Sequence, residues 1–212
     1  MRSPLADRER EQLVTATLPD VAFDGWTRRA LHAAAHRVGI APAEAEALFP
    51  AGAADMVAVL SHWADREMLL RLEGAFAEPT SLSRRVTTAL RLRFELLLPW
   101  REAVRRGLSV LALPQNGPLA LRLLYDTVDA IWRGVGDQPT GFSFYTKRAS
   151  LAGVQAAATL YWLDDRSPNF VETLGFIQRR LADLHRVGDL RRRFEVAANN
   201  LPSPFRLLRQ TR

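Results

Sequence analysis

His32 and His36 stand four residues apart, the spacing that sets two imidazoles on one face of a helix where they could share a zinc ion. The residue after His32 is Ala33, where a metalloprotease carries its glutamate base, so helix histidines are the simpler reading. Ferritin-like di-iron chemistry asks for a Glu-x-x-His pair on each of two helices, and no glutamate here is followed by histidine three residues later. His62 and His185 stand alone. The 212 residues include no Cys, which excludes a thiol nucleophile, a thiolate zinc site, a Cys-held iron–sulfur cluster and a disulfide framework. There is no phosphate-cradling glycine loop and no Gly-x-Ser-x-Gly elbow. The residues therefore name no catalytic group, no metal site and no cofactor, and the expectation is a protein that is not an enzyme.

What remains is positive charge. Lys and Arg number 29 against 23 Asp and Glu, a net charge of +6. Residues 1–50 carry 6 basic and 7 acidic side chains and residues 51–100 carry 6 and 6, whereas 101–150 carry 7 and 4 and 151–212 carry 10 and 6. The surplus belongs to the C-terminal half, and an anionic partner is to be sought there. Lys147 is the only lysine, and beside it stands Arg148, a side chain able to grip a phosphate with two hydrogen bonds. A cation in the first turn of a helix opposes the helix dipole, so this pair meets either an anionic partner or a carboxylate such as Asp137. Farther on, Arg191, Arg192, Arg193 and Phe194, then Phe205 and Leu208, make the segment 188–212 basic and amphipathic, interrupted at Leu201-Pro202-Ser203-Pro204. Such a segment either rests on an anionic membrane surface or is a solvated end.

These groups need helices to position them. With 48% hydrophobic and 25% charged residues the chain is neither disordered nor membrane-embedded, and its length suits one domain, or one plus a small satellite. The apolar spacing is helical nearly throughout, with helices expected at about 8–18, 27–38, 42–48, 53–74, 81–98, 100–112, 118–135, 144–163 and 168–187. In the 118–135 helix, Leu121, Leu124, Tyr125, Val128, Ile131, Trp132 and Val135 share one stripe, opposite Arg122, Asp126, Asp129 and Arg133. From Tyr145 to Leu163 only Lys147 and Arg148 are charged, so this helix is expected to be enclosed. Its flank Ala149, Ala152, Gly153, Ala156 and Ala157 lets another helix come close. The next helix has a coiled-coil seam in Phe170, Leu174, Ile177, Leu181 and Leu184. Together the two suggest a four-helix homodimer interface, with packing inside one subunit as the alternative. The longest charge-free stretches, 107–121 and 149–163, are too short to span a bilayer, and Met1 to Glu11 resembles no targeting segment. A cytoplasmic protein is expected.

Residues 8–74 have the order of a helix-turn-helix module and look like the amino-terminal part of TetR-type repressors, whose third helix enters the major groove. Here that helix is Ala41-Pro42-Ala43-Glu44-Ala45-Glu46-Ala47-Leu48, with two carboxylates and no Arg, Lys or Asn. Phosphate would repel it, so the module is expected to be a scaffold that binds no nucleic acid. The organisation expected is an all-α, TetR-like bundle of about nine helices. Its parts are a degenerate helix-turn-helix subdomain at 1–78, a helical domain at 79–187 that carries the expected dimer interface and an amphipathic tail at 188–212.

One stretch is distinctive: Leu113-Pro114-Gln115-Asn116, Thr127-Val128-Asp129-Ala130-Ile131-Trp132, Gly136-Asp137-Gln138-Pro139-Thr140 and Phe142-Ser143-Phe144-Tyr145-Thr146-Lys147-Arg148. With Phe23-Asp24-Gly25-Trp26, Leu48-Phe49-Pro50 and Asp164-Asp165-Arg166-Ser167-Pro168, it resembles the ubiquinone (coenzyme Q) biosynthesis accessory protein nine family in its alphaproteobacterial form, over about residues 10–187. The resemblance implies a TetR-like homodimer without DNA binding, peripherally associated with the inner membrane. It would hold an isoprenoid quinone intermediate or a phospholipid and present it to the di-iron hydroxylase of late ubiquinone synthesis. It places the hydroxylase contact at Phe144 and Tyr145, within a patch that takes in Asp137, Phe142 and Lys147, and a lipid headgroup at Arg148. A polyprenylated ring needs an apolar cavity to travel in, and Leu121, Leu124, Val128, Ile131, Trp132, Leu151 and Val154 are its expected wall. The rival from another class is a TetR-type transcriptional regulator that takes a small apolar effector.

Overall fold

The computed structural model describes residues 4–76, 80–136 and 142–199, apart from the side chains of 4, 142–146, 185 and 187–199. Among the described residues are nine α-helices and no strand. They are α1 Pro4–Asp24, α2 Arg28–Val38, α3 Pro42–Leu48, α4 Ala53–Leu72, α5 Leu82–Leu97, α6 Arg101–Leu111, α7 Gly117–Gly134, α8 Phe142–Asp164 and α9 Val171–Asn199. Single 3-10 turns at Leu98–Trp100, Pro114–Asn116 and Pro168–Phe170 bring the chain into α6, α7 and α9.

Local chemistry sets most of these ends. Thr27 caps α2 by accepting from the Ala30 backbone N–H at 3.3 Å, and Gly39, at φ 75°, closes it in the left-handed conformation. Two ends depart from the expectation. α1 continues through Pro19 to Asp24, because the loss of one helical bond, about 3 kcal/mol, is offset by burial around it. Leu13, Leu18 and Val21 are all buried, each worth roughly 1.5–3 kcal/mol. α9 runs past Gly188 to Asn199, since one interior glycine lowers helix stability by only about 1 kcal/mol.

The long helix α4 is the shared element: α1, α5, α6 and α7 all pack on it, α2 packs on α1, and α8 lies on α7 and α9. On one side Leu13, Leu18, Val21 and Leu31 close the helix-turn-helix layer, and on the other Phe94, Trp162, Phe170 and Ile177 fill the larger bundle. Trp26 locks the layers together, its indole N–H donating to the Ala103 carbonyl at 3.0 Å. α7 comes close to α4 at Gly134, where a Cβ would lie 2.8 Å from the methyls of Leu69 and Leu72.

The corner between α8 and α9 is built around one carboxylate. Asp165 accepts from the backbone N–H and the hydroxyl of Ser167, at 2.8 and 2.6 Å, and from those of Thr173, at 2.8 and 2.5 Å. Burial by itself would raise its pKa, but the four bonds outweigh it and hold the carboxyl down to about 2. Within the corner Asn169 and Phe170 have φ of 51° and 46°, a left-handed pair that L-residues resist. Burial of the Phe170 ring, edge-on to Phe94 with centroids 6.3 Å apart, holds it there.

Candidate functional site

A cavity of about 460 Å³ lies between α4, α5, α6, α7 and α8. Its wall is largely apolar: Val57 and Leu60 of α4, Leu97 of α5, Val104 and Leu108 of α6, Leu123 and Leu124 of α7. Gly107 belongs to it too, its missing side chain leaving room beside Val57 and the Trp26 indole. Ala112, Ala156 and Leu160 line the cavity and are also exposed, which marks the mouth. The size falls within the usual range of small-molecule pockets, about 300–1,000 Å³.

The polar groups are few and gathered on one side. Arg93 and Asp65 form a buried ion pair, with the guanidinium Nε donating to Asp65 Oδ1 at 2.7 Å and Nη2 to Ser61 Oγ at 3.1 Å. The Thr127 hydroxyl donates to Asp65 Oδ2 at 2.9 Å. Every charge in this cluster is met, as a buried pair requires. Gln155 of α8 is the other buried polar side chain at the wall, and its amide Nε2 donates to Thr159 Oγ1 at 3.4 Å.

The wall lies one helical face away from the one expected. Of the expected residues only Leu124 lines the cavity. Leu121 is 70% exposed, because the N-terminal half of α7 turns that stripe outward, and Tyr125 follows it. Val128, Ile131, Trp132, Leu151 and Val154 are buried in the core between helices and do not reach the cavity. The cavity instead takes the adjacent stripes, Ala120, Leu123, Leu124 and Thr127 on α7 and Gln155, Ala156, Thr159 and Leu160 on α8. α4, assigned by sequence to the helix-turn-helix part, supplies Val57, Leu60 and Ser61, so the cavity straddles that boundary. Periodicity finds the helix faces but not which face meets empty space; Gln155, the one amide in a long uncharged stretch, was the available signal.

Arg148 is buried away from the cavity. Its Nη2 and Nε donate to Asp129 Oδ1 at 2.6 and 3.2 Å, and Arg133 approaches Asp129 Oδ2 at 3.0 Å. Asp129 is thus a carboxylate partner of Arg148. Lys147 stands 5.7 Å from the Trp132 ring centroid. Asp137 and the side chains of Phe142, Phe144, Tyr145, Arg191, Arg192, Arg193 and Phe194 lie outside the described residues, as do Phe205 and Leu208.

The enclosure expected for α8 is incomplete: Ala149, Gly153 and Ala156 are exposed on this chain. The seam on α9 is not spare either, because Ile177 and Leu181 are buried within the subunit and only Leu184 is exposed. In the helix-turn-helix layer α3 exposes Ala43, Glu44 and Ala47, and Glu46 is bound by His32 at 2.7 Å. Among the described residues no three His, Asp or Glu side chains gather to hold a metal, and no helix is long and apolar enough to cross a membrane.

Residues 117–188, which make up α7, α8 and part of α9, match the COQ9 family model. The chain is 34% identical over 187 residues to the mitochondrial ubiquinone biosynthesis protein COQ9 of Rattus norvegicus and 32% identical to that of Homo sapiens, covering 84% of this chain in each case. It spans less than two thirds of the length of these relatives, 59% and 58%. The fold matches that of a TetR transcriptional regulator from Nitrosomonas europaea, with a TM-score of 0.67 at 18% identity, over 82% of this chain and 97% of that one.

Proposed function

We propose that the chain is a member of the COQ9 family, whose model residues 117–188 match, and that it is a lipid-binding accessory protein of ubiquinone biosynthesis. In this reading the protein carries an isoprenoid quinone intermediate and presents it to the di-iron demethoxyubiquinone hydroxylase. The observation that carries the reading is the 460 Å³ cavity with its exposed mouth at Ala112, Ala156 and Leu160. Burying an apolar guest there stabilises the complex by about 25 cal/mol per Å² removed from water, the driving force a carrier needs. The cavity is smaller than a long prenyl chain, so the ring end enters first and the tail follows the exposed face past Leu121, Tyr125 and Leu160. A second copy of the chain laid on the Gly153–Ala156 flank would shelter that tail.

The contact with the hydroxylase is proposed at Asp137, Phe142, Phe144, Tyr145 and Lys147, at the start of α8. The basic segment after Gly188 is proposed to hold the protein on an anionic membrane surface. Arg148, committed to Asp129, supports the α7–α8 junction beneath the contact patch in this reading.

Native mass spectrometry of the purified protein, followed by solvent extraction of whatever it carries, tests the proposal. A prenylated ring compound released from folded protein is the expected result, lost when Leu108→Trp fills the cavity. Empty wild-type protein after expression beside an active ubiquinone pathway would remove the carrier role. The TetR-like fold favours one rival, a transcriptional regulator with a small apolar effector. Tight duplex binding in a low-salt gel shift would establish it; α3, with two glutamates and no Arg, Lys or Asn, weighs against it.

A further inference from the structure

Arg93 stands in the cavity wall, 7% exposed, and its N–H groups are unevenly used. Nε donates to Asp65 Oδ1 at 2.7 Å, and Nη2 donates to Ser61 Oγ at 3.1 Å and reaches Thr127 Oγ1 at 3.5 Å. The third nitrogen, Nη1, donates to no group among the described residues. Unlike Gln155 Oε1, it is not sealed from space that a guest can occupy. That space is the cavity, because Arg93 lines it and its neighbours along α5, Leu90, Phe94 and Leu97, are buried.

Ser61 adds a second donor. Elsewhere in the fold helical hydroxyls turn back on their own helix: Thr17, Thr87 and Thr159 each donate to the carbonyl four residues earlier. Ser61 makes no such bond. Its oxygen accepts from Arg93, and its proton has no acceptor among the described residues. A hydroxyl polarised by a guanidinium donates more strongly in turn. The Nη1 amino group and the Ser61 hydroxyl thus stand within one hydrogen bond of each other's side chains at the polar end of an otherwise apolar cavity. Donors held in such a place favour a guest that accepts over one of the same shape that does not. Asp65 already balances the Arg93 charge, so a carboxylate guest would leave a net negative charge buried, whereas a carbonyl oxygen takes the donors and adds none. We infer that Arg93 and Ser61 are the specificity-determining pair of the cavity, and that they hold a carbonyl oxygen of a neutral, apolar guest. The inference rests on the reading of the cavity as the carrier of a quinone intermediate, and it gives one ring carbonyl its partners.

The test binds decyl-substituted dimethoxymethylbenzoquinone to the full chain, reading the carbonyl band by infrared difference spectroscopy and the affinity by calorimetry. In the wild type the band is expected at lower wavenumber than for the same probe in detergent micelles, the mark of a carbonyl that accepts hydrogen bonds. Ser61→Ala and Arg93→Lys are each expected to reverse part of that shift and to weaken binding about tenfold. Lysine keeps a cation beside Asp65 but lacks the planar fork, so this variant tests the donors and not the charge. Circular dichroism shows that each variant is folded, and Ser61→Ala decides the matter if Arg93→Lys does not fold. An unshifted band in the wild type, or a shift and affinity unchanged in every folded variant, overturns the role of the pair while leaving the carrier reading standing. Tighter binding of methyl decanoate or of decanoate than of the quinone overturns the ring carbonyl in favour of an ester or a carboxylate. Failure of the quinone to bind the wild type overturns the inference and the carrier reading together.

Discussion

Asp165 anchors the α8–α9 corner with four accepted hydrogen bonds, and its carboxyl is held at about 2. The unfolded carboxyl titrates at 3.8, so the folded value is the lower one and the bonds add stability wherever the group is ionised in both states. That contribution, roughly 2 kcal/mol, is complete above about pH 5 and drains away as pH falls through 3.8 toward 2. Asp165→Asn should therefore lower the unfolding free energy read from urea titration at neutral pH by about that amount and flatten the acid limb of a stability-against-pH curve. Identical curves for the two proteins would remove the carboxylate from its role. The sequence marks Asp165 as part of an Asp-Asp-Arg-Ser-Pro motif, but which of the two aspartates turns inward depends on Thr173, one turn into the next helix. Arg93 was harder to read. Its partners Asp65 and Ser61 stand one turn apart on α4, and nothing local to α5 announces them.

Gly134 lets α7 lie against α4, where a Cβ would force the methyls of Leu69 and Leu72 to shift. Gly134→Val should destabilise the fold by about 1–3 kcal/mol through overpacking, despite removing a helix-weakening glycine, and denaturant unfolding measures it. The α9 extension to Asn199 carries a second expectation at this scale. Reversing charge at Arg191, Arg192 and Arg193 should weaken flotation with anionic liposomes, each cation contributing about 1 kcal/mol at such a surface. Unchanged flotation would dismiss the segment as an anchor. Helices with capping residues and proline starts were legible directly: Thr27 and Gly39 bound α2, and Pro42 opens α3. Pro19 misled, since a helix face already committed by Leu13 and Leu18 can carry the chain past a proline. The α7 stripe was found at the right period, yet Leu121 and Val128 of that stripe end in opposite environments, one in solvent and one in the core. Periodicity reports that a face is apolar. What covers it depends on where α8 stops lying across α7, which no local pattern encodes.

Taken whole, the molecule is a TetR-like bundle whose helix-turn-helix layer presents Glu44 where a groove-binding helix would present cations. The layer serves the rest of the fold through α4, which lends Val57, Leu60 and Ser61 to the cavity. The flank around Gly153 gives the assembly a clean test, because a side chain there would meet nothing within 4 Å on this chain. Gly153→Arg should leave the isolated subunit folded, even slightly stabilised, while sedimentation shows the proposed dimer reduced to monomer. A dimer that persists would move the interface elsewhere.

Ala156 and Leu160 belong at once to the cavity mouth and to the uncovered side of α8. In the proposed carrier reading, anything that settles on that side, a sister molecule or a client catalyst, would shut the same doorway through which cargo would leave. Unloading would then be timed by the parting of two proteins and not by the grip of the hollow, and dilution alone would quicken it.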